Sequence, residues 1–370
     1  MHTPKRLFFF LTPFLGLLAI ASYFIYHTLN HFDIFHHPYA NNLFILVAIF
    51  APLILITTML IGSKRYSIVN ASIYAFSSMW LVMLSYLSIM AVFLWIMHAV
   101  LGFFNLAQPM FAIWICSMIS IYGIIFLGID RAAHPKIKEV EIVSPALAPL
   151  WRGKKIVLVS DIHIGMVRRD NFVKKVVGKI NSVRPDMILI AGDLIDGPRF
   201  PYEKFLAPLS HLNAPLGIYY TPGNHEYYNN EQERFFAAIP KNITLLVDET
   251  RGVNGTDIVG IDFASETLPE TEKRVVRAHP ASTRPTIALF HDPKNIHAII
   301  KHEIDLVVSG HTHGGQFFPM TLLVKALHKQ FTKGLNYVGK TASFVTVGAG
   351  TAMSPVRIGT TPEIVVIHIV

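Results

Sequence analysis

The sequence predicts an α/β globular domain preceded by an all-α membrane region, and three observations carry that prediction. Of 32 Lys and Arg only seven precede Trp151, together with just four acids. Four long stretches within that first part contain no Asp, Glu, Lys or Arg. After Trp151, short β-rich runs alternate with stretches of helical spacing, which is the pattern of an α/β fold.

With 52% hydrophobic and 15% charged residues, the 370-residue chain is too apolar for an ordinary soluble protein. The uncharged stretches 7–29, 43–62, 73–98 and 109–129 can each cross about 30 Å of hydrocarbon as a helix, so 1–143 is expected to be a transmembrane region with four spans. Lys5 and Arg6, Lys64 and Arg65, and Arg131, Lys136 and Lys138 fall in the first, third and fifth segments outside the spans, while the second and fourth have no Lys or Arg. The positive-inside rule then puts the N-terminus and everything after span four in the cytoplasm. "AIA" at 19–21 could end a signal-peptide core, but apolar residues continue to Tyr26 and argue against cleavage there. The single cysteine, Cys116, lies in span four and excludes an internal disulfide framework. The spans lack the charge that a transporter or proton pump uses, so they read as an anchor or a platform for a lipid-like substrate. His36 and His37 read as part of an interfacial loop rather than as a ligand pair, because Asp33 is the only carboxylate near them.

Pro and small residues in 144–150 suggest a linker, and 151–370 a single globular domain. Buried strands are expected at 155–160, 187–192, 217–223, 257–262, 286–291 and 305–310, with helices at 170–183, 201–212, 230–239 and 293–302. The C-terminal runs "ASFVTVGAG" and "EIVVIHIV" read as strands only. A mixed sheet or two stacked sheets would accommodate them.

Polar residues gather directly after these strands, in "SDIHIG", "AGDLID", "PGNHEY", "FHDP" and "SGHTHGGQ". Ligands of α/β folds bind outside the carboxyl ends of strands, so five such loops can converge on one crevice. The donors are Asp161, His163, Asp193, Asn224, His291, His311 and His313. Each taken singly could be a helix cap or a turn former. Together they are too many for one tetrahedral zinc, and two divalent ions sharing one carboxylate would use all seven. Oxygen and nitrogen donors without thiolate suit Mn²⁺, Fe or Zn²⁺.

The series Asp-x-His, Gly-Asp, Gly-Asn-His-Glu, His and Gly-His-x-His resembles the calcineurin-like metallophosphoesterase superfamily over essentially all of 151–370. "GHTHGGQ" and "SPVRIGTTPEIVVI" resemble its subgroup of transmembrane proteins with a metallophosphoesterase domain, said to include hydrolases of UDP-2,3-diacylglucosamine. The resemblance implies a metallophosphoesterase-type β-sandwich flanked by helices. It implies one metal on Asp161, His163, Asp193 and His313, and a second on Asp193, Asn224, His291 and His311, with Asp193 bridging and Mn²⁺ the first choice of ion. His225 would act on the transition state or the leaving oxygen, with Glu226 orienting it, although many members of the superfamily have Asp in that place. Asp196 and Asp292 would lie either behind the ligands or on exposed loops. The expected function is hydrolysis of a phosphodiester or pyrophosphate bond in a lipid-linked substrate such as UDP-2,3-diacylglucosamine, at a bacterial-type inner membrane. The alternatives are a broad phosphodiesterase on phospholipid or nucleotide diesters, and a membrane sensor with an inactive domain. An inactive domain usually loses ligands, and here all seven are present.

Two further stretches bear on function. "VGAGT" at 347–351 lacks a phosphate-loop lysine and reads as a turn. The net charge of +8 comes without an aromatic-interleaved basic motif, so anionic lipid is expected as a partner and nucleic acid is not. In "FFPMTLLVKALHKQFTKGL", Leu323, Leu327 and Phe331 fall at helical spacing, with Leu322 and Ala326 beside them. Residues 320–333 are expected to be either a lipid-facing lid or a helix packed on the domain core.

Overall fold

The computed structural model describes residues 4–34, 38–62, 66–196, 200–228, 231–263, 268–279 and 282–370. His36, His37, Lys64 and Arg65 lie outside the described residues. The chain divides into two compact units, one of 1–58 and 73–127, the other of 59–72 and 128–370.

Helices α1 (Pro4–His31), α2 (Pro38–Gly62), α3 (Ile68–Phe103) and α4 (Met110–Ala132) account for the uncharged stretches. All four are long and apolar enough to cross a membrane. Leu17, Ile20, Phe76, Ile119 and Phe126 stay exposed, as expected of side chains whose solvent is lipid. α3 has 36 residues, so it runs about 54 Å at 1.5 Å per residue, well past the hydrocarbon thickness. The Trp95 indole donates to Thr28 Oγ1 at 3.0 Å and its ring stacks on His31 at 4.5 Å, tying α3 to α1.

The second unit holds, among the described residues, the helices α5 (Ala148–Trp151), α6 (Asp170–Ser182), α7 (Tyr202–Leu206), α8 (Gln232–Ala237), α9 (Leu268–Ala278), α10 (Ile296–Ile299) and α11 (Met320–His328) and two six-stranded sheets. The first has the order β1 (Lys136–Ile142), β12 (Glu363–Ile369), β2 (Ile156–Val159), β3 (Met187–Ala191), β4 (Ile218–Thr221), β5 (Thr244–Leu245). The second runs β10 (Gly334–Val338), β11 (Thr341–Val345), β9 (Leu306–Ser309), β8 (Thr286–Phe290), β7 (Thr256–Ile261), β6 (Glu249–Val253). Strands β2 to β5 are mutually parallel, as are β7, β8 and β9.

The central strands are buried on both faces, which is why they read as unbroken apolar runs. Period-two alternation sorts their side chains into layers. Ile156 and Leu158 of β2 join Ile287 and Leu289 of β8 in the layer between the sheets. Val157 and Val159 face the other way, onto Phe172, Val173, Val176 and Ile180 of α6 (Asp170–Ser182). On the far side, Ala288 and Phe290 meet Val275 of α9 (Leu268–Ala278) and Ile296 of α10 (Ile296–Ile299). The result is a sandwich of two sheets flanked by helices.

Three expectations change. Within the stretch expected to be transmembrane, 136–142 is strand β1, paired in parallel with β12, and Leu147 and Ala148 of the expected linker are core residues. The expected helix 293–302 is reduced to short turns around the four-residue α10. α9 was not anticipated, because its inward stripe is only Thr271, Val275 and Ala278 on an otherwise polar sequence.

Candidate metal centre

Because β2, β3 and β4 are parallel, the loops that leave them emerge at one edge of the first sheet, and those of β8 and β9 emerge together from the second. Asp161 and His163 follow β2, Asp193 follows β3, Asn224 follows β4, His291 follows β8, and His311 and His313 follow β9. The backbone turns abruptly there. Asp161, His163, Asp193, His311 and His313 all have φ between 49° and 69°. For residues other than glycine this left-handed region costs roughly 1–3 kcal/mol each and tends to cluster at functional sites. Glycine appears where no side chain would fit: a Cβ on Gly192, itself at φ +81°, would run into the His291 ring, and one on Gly223 into the Asp193 carboxylate.

The seven sequence-predicted donors are brought together in two groups that meet at Asp193. In the first, His163 Nε2 lies 3.0 Å from His313 Nε2, while Asp161 Oδ1 is 3.8 Å from His163 Nε2 and 3.4 Å from His313 Nε2. In the second, His311 Nδ1 is 2.9 Å from Asn224 Oδ1 and 3.3 Å from His291 Nε2. Asp193 Oδ2 is 3.1 Å from His291 Nε2 and 3.8 Å from His163 Nε2, so one carboxylate oxygen faces both groups. Asp161, His163 and His313 could hold a metal ion, as could Asp193, His291 and His311. His163, Asp193 and His225 form a third such group, although His225 Nε2 stands off at 3.9 Å from Asp193 Oδ2.

Electrostatics shows how strongly the site calls for a cation. Burial alone would raise the Asp161 carboxyl, yet His313, His163 and His291 outweigh it and hold it well below the usual range. Burial also works against Asp193, which His291, His225 and His163 hold low. Burial would lower His163, but its hydrogen bonds to Asp161 and Asp196 carry it up to about 10. His291, likewise opposed by burial, is carried up to about 10 by Asp193. For His311 and His313 burial prevails and both are held below the ordinary imidazole value. The buried carboxylates of Asp161, Asp193 and Asp196 thus favour the protonated form of His163 and His291.

The supporting residues were only partly foreseen. Glu226 does not orient His225; its buried carboxylate accepts the backbone N–H of Asp193, Ile195 and Gly223. The residue facing His225 is Asp196, buried, with Oδ1 at 3.1 Å from His225 Nδ1 and 3.5 Å from His163 Nδ1. Asp292 accepts the Lys294 N–H, and its other oxygen is 3.9 Å from His311 Nε2. Two contributors went unnoticed. Tyr228 bonds the Asn224 amide nitrogen, leaving Oδ1 turned to His311. Arg357, completely buried, donates to His313 O at 2.8 Å and lies 3.0 Å from His313 Nδ1. The turn at 347–351 lays its backbone on the same loop, with Ala349 N–H and Gly350 N–H donating to Ser160 O and Asp161 O.

Convergent imidazole nitrogens, two buried carboxylates and glycines that admit no Cβ fit divalent metal ions. Fold and site together define an α/β domain with a candidate centre for divalent metal ions. Residues 154–315 match the calcineurin-like phosphoesterase family, and the chain carries a calcineurin-like metallophosphoesterase domain preceded by four apolar helices. The chain is 37% identical over 239 residues to an uncharacterized metallophosphoesterase of Helicobacter pylori, covering 62% of each chain. It is 31% identical over 283 residues to a transmembrane protein with metallophosphoesterase domain of Bos taurus, covering 70% of this chain and 61% of the relative. The chain therefore spans about three-fifths of the length of these curated relatives.

Proposed function

We propose that this protein is a membrane-anchored phosphoesterase that hydrolyses a phosphodiester or pyrophosphate bond in a lipid-linked substrate, with UDP-2,3-diacylglucosamine the leading candidate. One ion would be held by Asp161, His163, Asp193 and His313, the other by Asp193, Asn224, His291 and His311. The position of Asp193 Oδ2 between His291 and His163 is the observation that carries this reading. When bound, two such ions supply Lewis-acid polarisation of the phosphoryl group and a water of lowered pKa. Mn²⁺ is the ion proposed, and a donor set of oxygen and nitrogen also accommodates Fe or Zn²⁺.

The protein's own contribution is orientation and proton transfer. His225 is a partly exposed imidazole at the edge of the cluster, its Nδ1 facing Asp196 and its backbone N–H donating to Asp193 Oδ1 at 3.0 Å. Held in this way, it leaves Nε2 to pass a proton to the departing oxygen. Beside His311 a cavity of about 300 Å³ is lined by Lys294, His297, His328 and Lys329 together with Leu327 and Phe331. Its basic and apolar lining supports a substrate that carries anionic groups beyond the scissile phosphoryl.

The test is an assay of the purified full-length protein with Mn²⁺ against UDP-2,3-diacylglucosamine, phospholipids, cyclic nucleotides and an aryl phosphodiester. Turnover of the sugar-nucleotide lipid well above the others is expected. Turnover of the cyclic nucleotides alone would overturn the lipid-linked reading.

A further inference from the structure

Helix α11 (Met320–His328) leaves the metal loop with its apolar side turned outward. Thr321, Val324 and His328 face the domain and are partly covered, whereas Leu322, Leu323 and Leu327 are 60%, 51% and 68% exposed. Phe318 and Met320 extend the same exposed surface. A surface helix ordinarily shows the reverse arrangement, and a contiguous apolar patch of this kind marks an interaction site.

Two neighbours give the patch its meaning. The first is the metal centre: a Cβ on Gly315 would strike the backbone of Met320 and Thr321, and the His328 ring stands 6.2 Å from that of His311. The second is the last turn of α4. Gly128 O accepts the Arg357 N–H at 3.0 Å, Ile358 N–H donates to Gln316 O at 3.0 Å, and Phe318 N–H donates to Ile358 O at 3.0 Å. Only the segment 356–358 separates Gly128, four residues before the end of α4, from the residues that lead into α11. Those are two hydrogen-bonded spacings, about 10 Å.

Charge narrows the choice of occupant. No acid occurs from 306 to 362, and Lys325 and Lys329 are exposed on or just beyond the helix. Leucines flanked by lysines match an anionic lipid surface, in which an amphipathic helix lies with its apolar face about 5–10 Å deep. We propose that the outer face of α11 is an interfacial contact that seats the mouth of the metal centre on an anionic phospholipid bilayer. The inference rests on α1 to α4 spanning a membrane and is independent of which phosphoester is cleaved.

The test uses the full chain in a Cys116→Ser background, with an environment-sensitive fluorophore on Leu323→Cys or on Arg251→Cys, the latter on β6 at the opposite edge of the second sheet from β10. Both are placed in phosphatidylcholine–phosphatidylglycerol nanodiscs holding a lipid with a spin-label quencher high on its acyl chain. The Leu323 label is expected to shift to the blue and be quenched while the Arg251 label is not, and Lys325→Glu with Lys329→Glu is expected to reduce that quenching. A Leu323 label quenched no more than the Arg251 label would overturn the proposal. So would quenching that appears only after a diacyl substrate is added, because the patch would then be an acyl-chain site. Uptake into the discs reports membrane spanning separately, and matched thermal unfolding of the labelled variants guards against misfolding.

Discussion

The Glu226 carboxylate accepts the backbone N–H of Asp193 at 3.1 Å, and it also binds Ile195 of the same loop and Gly223 of the loop after β4. It thereby fixes the left-handed turn that presents the Asp193 carboxylate to both ligand groups. Burial raises the Glu226 carboxyl, Asp193 adds to that, and the two backbone donors at Ile195 and Gly223 work against it. Its role is structural support for the centre of the site.

Glu226→Gln is accordingly expected to weaken metal binding roughly 10–100-fold, the scale for groups that orient ligands. A glutamine can offer only one oxygen to three donors, and its amide would confront at least one N–H. Activity at saturating Mn²⁺ should recover most of the loss. Calorimetric Mn²⁺ binding unchanged from wild type would show that the turn holds without Glu226.

Asp193→Ala and His225→Ala should separate metal binding from proton transfer. The first removes the carboxylate facing both groups and should abolish activity together with bound metal, read by elemental analysis. The second should keep most of the metal and lose about 10²-fold or more in rate, the usual scale for a positioned acid. The deficit should shrink for an aryl phosphodiester with a good leaving group. An equal deficit on good and poor leaving groups would remove the acid role.

The pH dependence of the chelated protein follows from His163 and His291, both raised to about 10 against an ordinary value near 6.5. A raised histidine stabilises the fold fully below about 6.5 and loses that contribution as pH climbs through its folded value. The metal-free domain should therefore lose thermal stability between about pH 6.5 and 10. The Mn²⁺-loaded domain should lose much less, since the metal replaces those protons. Parallel melting profiles with and without EDTA would contradict this account.

The site was legible because it depends on local signals. Buried parallel strands are unbroken apolar runs, and each of Asp193, Asn224 and His311 follows a glycine that the crowded backbone requires. What supports the site is not local. Asp196 reaches His225 across the gap between two strand exits, and Arg357 reaches His313 from 44 residues away. The resemblance puts Glu226 behind His225, but successive residues of the 3-10 turn His225–Tyr227 project in different directions. β1 gives no buried-strand signal because its sequence, Lys-Ile-Lys-Glu-Val-Glu-Ile, alternates like the exposed edge strand it is.

Topology provides a test in cells. Reporters fused after Val370 or inserted near Arg65 should report cytoplasm, and one near His36 the opposite side, because Lys and Arg cluster in alternate segments between the spans. An external signal from the C-terminal fusion would remove the case for a cytoplasmic nucleotide-linked substrate and leave the metal site itself untouched.

The stripe Leu323, Leu327 and Phe331 divides into two environments, and stability measurements should divide it the same way. Periodicity shows that side chains share a face but not what the face meets. Here the helix ends at His328, and Phe331 turns back into the core with Ile296, Ile299 and Val307, 7% exposed, while Leu323 remains in the open. Phe331→Ala should cost about 3–5 kcal/mol, the range for emptying an aromatic site in a packed core. Leu323→Ala, on the exposed face, should stay within about 0.5 kcal/mol. Denaturant unfolding that gave Leu323→Ala the larger cost would mean that α11 buries its leucines against the domain, and the outward face described above would have to be abandoned.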